Sequence, residues 1–181
     1  MPPKACDTDI LFGTVRLRIR RWRTGDLAQA YKIYGSTEVT RFVPRRRVHG
    51  QKDLARILQM DISTYDAHPG YGHFAMERRS DGEVLGALYL RPSGASGHAT
   101  AGWLLERSVW GNGYATEAGF GLLRHAFEEL SVPAVDARFH RGNIPAQRVA
   151  NMLGMEAKGI VSPHARHARF QITSSDWQRR C

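Results

Sequence analysis

Two glycines one residue apart open the stretch "WGNGYATEA", Trp110 to Ala118, and the residues after them turn helical. Such a step brings backbone amides against phosphate, because glycine lacks the Cβ that would hold a ligand away. The helix that follows points unpaired N–H groups and the positive end of its dipole at the same anion. Gly111 and Gly113 supply the close approach, and Thr116 in the first turn adds a hydroxyl. A nucleoside-triphosphate loop requires Gly-x-x-x-x-Gly-Lys-Ser/Thr, and no lysine stands here. The dinucleotide fingerprint Gly-x-Gly-x-x-Gly fails at its third position, which is Thr116. Its context also fails, since it opens a parallel strand–helix–strand unit and this turn follows an antiparallel meander. Asp136 is at a tolerable distance for a ribose, but near the start of the next strand rather than its end. A tight turn holding no ligand is the remaining reading of two isolated glycines. Downstream, "NIPAQRVANMLGM" sets the polar Asn143 at the head of a further helix, with Pro145 in its first turn and Gly154 after its end.

Hydrophobic periodicity supplies the elements that position these residues. "TVRLRIRRW", Thr14 to Trp22, alternates Val15, Leu17 and Ile19 with Arg16, Arg18 and Arg20, a strand with one buried and one basic face. Thr24 and Asp26 offer N-cap oxygens to the helix "LAQAYKIY". A second helix, Gln51 to Tyr65, gathers Leu54, Ile57, Leu58 and Ile62 on one face. "YGHFAMERRSDGEVLGALYLRP" reads as a hairpin turning at Asp81-Gly82, the cluster "PSGASG" as another turn, and "HATAGWLLE" as a third strand. Short connections make these three an antiparallel meander. A helix from Thr116, ended before Pro133, gives "AVDARFH" the length of crossover that a parallel strand needs. Strands near Met155 to Val161 and Ala168 to Thr173 close the chain. The expected class is α+β, a mixed α/β sheet flanked by helices.

With both motifs in this order, the chain resembles the GNAT superfamily of N-acetyltransferases, in the form of its ribosomal-protein N-terminal (alanine) acetyltransferase branch. The likeness runs from Thr14 to the closing "ARFQITSSDW". It implies a single GNAT domain over 14–177 behind a flexible N-terminal segment, 1–13. It further implies acetyl-CoA as co-substrate, with the pyrophosphate on Trp110, Gly111, Asn112, Gly113, Tyr114, Ala115 and Thr116. Trp103, Leu104 and Leu105 would line a slot where the strand splays from its neighbour, and Asn143 would hold pantetheine or an ordered water. Transfer to a primary amine would then be direct, with no acyl-enzyme. Four positions depart from the family pattern, one of them Met155, which replaces a common Phe as a packing change. Ser108, with Arg107 beside it, stands where relatives carry Gln or Arg. Thr100 stands where many carry a glutamate, and Ala150 where others carry a tyrosine. Thr100 and Asn143 are therefore the polar residues carried into the catalytic set, and His73, His98 and His140 are candidate bases. The acceptor pocket would be built from Glu38 to Arg47, Tyr71 to Phe74 and Ser162 to His167. In it Glu38 would hold an ammonium group, and His73 would also face the acceptor.

The 181 residues suffice for one domain with a core. A net charge of +9 draws polyanions, yet neither a nucleic-acid recognition motif nor aromatics interleaved with basic residues are present. Nucleic acid is thus disfavoured as a partner, and a basic nucleic-acid-binding domain is the distant alternative. No apolar run reaches the roughly 20 residues of a membrane span, and Asp7 and Asp9 interrupt any signal-peptide core. These point to a cytoplasmic protein with no membrane partner. The only cysteines, Cys6 and Cys181, stand at opposite ends, so neither a disulfide framework nor a metal site follows. The acceptor is expected to be a small amine or a protein N-terminus, and a homodimer is allowed. A GNAT-fold regulatory module that binds CoA without catalysis is the nearer alternative.

Overall fold

A computed structural model describes residues 9–94, 96–160 and 166–180. Eight strands form one sheet: β1 (Ile10–Gly13), β2 (Leu17–Arg21), β3 (Gly72–Arg78), β4 (Val84–Ser93), β5 (His98–Leu105), β6 (Ala134–His140), β7 (Glu156–Ile160) and β8 (His167–Thr173). Their spatial order is β1-β2-β3-β4-β5-β6-β8-β7. The β3-β4-β5 meander is antiparallel, and β6 is parallel to β5. Helices α1 (Leu27–Tyr34) and α2 (Gln51–Thr64) cover one face. The other face carries α3 (Tyr114–Arg124), which runs on as a π-helical turn at His125–Glu129, and α4 (Ile144–Met152). A short α5 (Ser174–Gln178) follows β8, its start capped by the Thr173 hydroxyl and Asp176 carboxylate.

The period-two side chains sort onto these faces. Phe74, Met76 and Leu88 pack toward α3 and α4, whereas Ala75 and Ala87 pack toward α1 and α2. The edge of the sheet corrects two expectations. Strand β2 begins at Leu17, because Thr14–Leu17 is a turn in which the Leu17 N–H donates to Thr14 Oγ1 at 3.0 Å. Val15 is accordingly 91% exposed rather than buried. The segment 1–13, expected as flexible, ends in β1, whose Phe12 stacks on His125 at 6.0 Å. A Cβ on Gly121 of α3 would stand 2.4 Å from that phenyl ring, so glycine makes the room for it.

Arg20 also departs from the simple pattern. Its side chain is buried, giving two hydrogen bonds of 2.7 and 2.9 Å to Asp26 and a third to Glu77. Burying a guanidinium is tolerated because both carboxylates pair with it. Asp26 is thereby corrected from helix cap to ion-pair partner: it accepts from the Arg23 N–H at 2.8 Å and caps no N–H of α1. Thr24 starts a short 3-10 turn instead.

Candidate active site

Between β5 and α3 the chain makes one 3-10 turn, Arg107–Val109, and then the glycine turn. Gly111 has φ +79° and Gly113 +77°, a left-handed conformation that costs other residues roughly 1–2 kcal/mol. A Cβ at Gly111 would meet nothing within 4 Å, so that side of the turn is open for an approaching group. Gly113 is the N-cap of α3 and brings no side chain to its first N–H groups. The helix starts at Tyr114, two residues before the expected Thr116, so Tyr114, Ala115 and Thr116 all lie in the first turn. Asn112 turns inward, its amide donating to the Val109 and Trp110 carbonyls at 3.2 and 3.3 Å. Trp110 donates its indole N–H to the Leu105 carbonyl at 2.8 Å, tying the turn to the end of β5. These are the features of a phosphate cradle: positive-φ glycines, an uncapped helix start and a braced base.

A cation that the sequence did not point to stands beside it. Arg16, in the β1–β2 turn, donates to the Asn112 carbonyl at 3.0 Å and lies 4.4 Å over the Tyr114 ring. Glu117 fixes it, accepting from Arg16 Nε at 2.6 Å, the Arg16 N–H at 2.8 Å and Thr14 Oγ1 at 2.6 Å. Partial burial pushes the Glu117 carboxyl up, but these three hydrogen bonds and the charge of Arg16 outweigh it and hold it below the usual carboxylate range. Arg107, adjacent to Ser108, lies 4.7 Å over the Trp110 ring and pairs with Glu38 at 2.7 Å.

The sheet splits next to this turn. The β5–β6 ladder comprises Ala99–Ala101 against Val135–Ala137 and stops there, whereas β4 pairs with β5 as far as Leu105. Gly102–Leu105 therefore have a partner strand on one side only. Side chains rather than backbone bridge the gap, Trp103 lying 5.0 Å from Phe139. Gly102 is required at the branch point, because a Cβ there would stand 2.5 Å from the Tyr89 ring.

A cleft opens at this split on the α1–α2 face. Its walls include Tyr34, Phe42, Arg46, His73, Tyr89 and Trp103, with Leu104, Arg138, His140, Asn143 and His167 around the rest. No Asp or Glu lines it among the described residues. His73 is buried, and the guanidinium groups of Arg46 and Arg91 both press on its ring. Burial, reinforced by those two charges, pushes the His73 imidazole down to about 2, so it is neutral and no general base near neutral pH. His140 accepts the Gly142 N–H at its Nδ1, at 3.1 Å, which leaves its proton on Nε2 in the neutral form. His98 lies 3.7 Å from Asp136 and does not line the cleft.

The structure thus brings Trp103, Leu104, Asn143 and His73 together in one cleft. Leu105 faces the α3–α4 core instead and contributes its carbonyl to Trp110. Thr100 lies in the closed part of the ladder, level with Arg91 and Asp136. Asn143 caps α4, its Oδ1 accepting the Ala146 N–H at 3.3 Å. Glu38, expected to hold an ammonium group, is turned out to Arg107 and lies outside the cleft wall. Ala150 lies on the inner face of α4 and is fully buried. Of the segment expected at Ser162 to His167, residues 162–165 fall outside the described residues, and His167 does line the cleft. Sequence reasoning missed Tyr89 and Arg91. Their signal was the run "GALYLRP", where a period of two puts a phenol and a guanidinium on the face that Ala87 buries.

Known proteins share this fold and place the chain in a family. A family model described as an acetyltransferase (GNAT) domain matches residues 16–156. The N-acetyltransferase p20 of Bacillus licheniformis, itself uncharacterized, is 24% identical over 152 residues, covering 82% of this chain and 83% of that protein. Among solved structures, RimJ of Mycobacterium smegmatis in complex with CoA-disulfide has a TM-score of 0.75 at 20% identity, covering 91% of this chain and 87% of that one. The ribosomal-protein-S5-alanine acetyltransferase of Vibrio fischeri has a TM-score of 0.73 at 15% identity, covering 92% and 97%. No helix among the described residues is long and apolar enough to cross a membrane.

Proposed function

The chain belongs to the GNAT acetyltransferase family, and from that premise we propose that it moves the acetyl group of acetyl-CoA directly to a primary amine. The observation that carries this reading is the pairing of an open, positive-φ glycine turn with a strand, Gly102–Leu105, that lacks a neighbour on one side. The turn suits a pyrophosphate, and the unpaired strand suits an extended chain of amides such as pantetheine, which would add to the sheet as a strand does. Acetyl-CoA supplies an activated thioester.

This chain's own groups would act in three ways. Amides of Gly111, Gly113 and the first turn of α3 hold the phosphates, with Arg16 beside them. An N–H near Leu105 on the open side of β5 donates to the thioester carbonyl and stabilises the oxyanion as the amine attacks. The acceptor enters from the cleft, where Trp103 and Phe139 exclude water from the split. Asn143 keeps its carboxamide N–H for pantetheine or a water, since its oxygen is committed to the helix. The likeness to RimJ and to the ribosomal-protein acetyltransferase supports an amine on a protein N-terminus as one acceptor class. A small amine is the other.

The test has two stages. Calorimetry with acetyl-CoA should show saturable binding; none at millimolar concentration would overturn the reading. Thiol release with N-terminal peptides and small amines should then exceed hydrolysis without acceptor. Binding without any acceptor-dependent turnover would refute the choice of a primary amine.

A further inference from the structure

Arg46 and Arg91 form an unusual pair, because what lies between them is an imidazole rather than a carboxylate. Arg46 comes from the loop between α1 and α2, and Arg91 from β4, where it stands level with Thr100. Both guanidinium groups reach the Nε2 side of His73, and Arg46 Nη2 is also 3.1 Å from Nδ1. A neutral imidazole has one lone pair to give, the other nitrogen carrying the proton. The two forks bring more N–H donors to this point than the ring can accept. Neither arginine forms an ion pair with a carboxylate among the described residues. The acid whose charge both feel is Asp61 on α2, and it bonds to neither: its buried Oδ2 has no hydrogen-bond partner.

The remaining cleft wall adds Arg138 and the phenols of Tyr34 and Tyr89, and no Asp or Glu stands in that wall among the described residues. This cationic corner is also far from the glycine turn. His73, where the two guanidinium groups meet, pairs with Tyr89 and so stands level with Gly102, three residues before Leu105, about 10 Å along a strand at ~3.4 Å per residue, and the turn lies beyond that. Phosphates held at the turn do not serve it. Converging guanidinium forks with unmatched donors are the recognition chemistry of an oxyanion.

We propose that Arg46 and Arg91 bind an oxyanion, carboxylate or phosphate, carried by the acceptor on the same molecule as its amine. The proposal rests on the amine-acceptor reading above and narrows it. It assigns the two ends of the open strand to two anions, with the transfer between them. Glu38 is then not needed to hold an ammonium group, since the acceptor is oriented by its negative end and its amine is left free to lose a proton.

Four acceptors test this: β-alanine against β-alaninamide, and phosphoethanolamine against ethanolamine, each as kcat/KM. The charged member of at least one pair should be favoured by about tenfold or more, as for sites that leave polar groups unpaired with the wrong substrate. Which pair shows the preference distinguishes carboxylate from phosphate. In Arg46→Gln/Arg91→Gln the preference should fall to within about twofold. Neutral acceptors used equally well, or a preference that survives both substitutions, would overturn the proposal. A second readout needs no turnover: the His73 ring resonances should shift on adding acetate or inorganic phosphate at constant ionic strength, and not in Arg91→Gln. If no amine is acetylated but His73 still responds, the amine reading fails and the anion site stands. If His73 is silent to both anions, the anion site fails whatever the turnover.

Discussion

At the turn opening α3 the groups offered to a ligand are peptide N–H groups, and one carboxylate, Glu117, braces the β1–β2 turn against that helix through three hydrogen bonds. In the cleft on the opposite face they are side chains from α1, two loops and five strands, with no acid among them in the described residues. The turn is held by the hydrogen bonds that Trp110 and Asn112 make within it, and its cation is already paired. The cleft is specific because long side chains converge there, and it can change occupant with a few substitutions. On the proposed reading, one region serves a constant ligand and the other a particular one. That difference is open to experiment, beginning with the largest expected effect.

Gly113→Val should break the turn. A β-branched residue at φ +77° strains the backbone by about 1–3 kcal/mol and adds a Cβ 3.5 Å from Arg16 Nη2. Acetyl-CoA affinity should fall about a hundredfold, roughly 2.7 kcal/mol, while circular dichroism keeps the native spectrum. Unchanged affinity in calorimetry would remove the turn from the site.

Glu117→Ala comes next. Cutting three hydrogen bonds to a carboxylate that is mostly sheltered, with a half-exposed arginine as partner, should lower stability by about 2 kcal/mol in urea melts. The same carboxyl sets a pH limit. Its folded pKa lies below the unfolded one, so its contribution is present above about 4.3 and is lost as pH falls through the folded value. The acid limb of a stability profile should therefore be shallower in the variant. An identical limb would mean that Glu117 does not brace the turn.

For the cleft, the expected change is spectroscopic. The His73 imidazole should remain neutral in NMR titrations down to pH 4, since it is pushed down to about 2. A midpoint near 6.5 would show that burial and the two arginines do not act on it together. Smallest of all is Glu38→Gln, which should move stability by less than about 0.5 kcal/mol, because the Arg107 pair is exposed on both sides. A larger loss in thermal melts would give Glu38 a role that the structure does not.

The two regions also differed in how far the sequence revealed them. The turn was legible because glycine identity is a direct record of backbone angle: Gly111 and Gly113 are needed where φ is positive. The meander and the parallel crossover were legible because connection length alone decides them. Arg16 and Glu117 were not, since a contact across 101 residues has no local periodicity. The burial of Arg20 was hidden for the same reason: its alternation matched the exposed face, and its carboxylates come from Asp26 and from a strand 57 residues on. β1 is four residues long and shows only as a brief apolar run before Gly13. The cleft lay beyond sequence reasoning in its particulars, although Arg46 and His73 fell within the segments expected to build it.

The split in the sheet has one more consequence. Gly102–Leu105 amount to an edge strand placed in the interior of a sheet, with backbone donors and acceptors facing a gap instead of a neighbour. Exposed edges are templates for foreign strands, and proteins ordinarily blunt them with charge, proline or a covering loop. Here the rings of Trp103 and Phe139 meet across the split, 5.0 Å apart. A ligand that lays amides along this edge satisfies the same groups. Acetyl-CoA bound as proposed would then shield this edge as well as react.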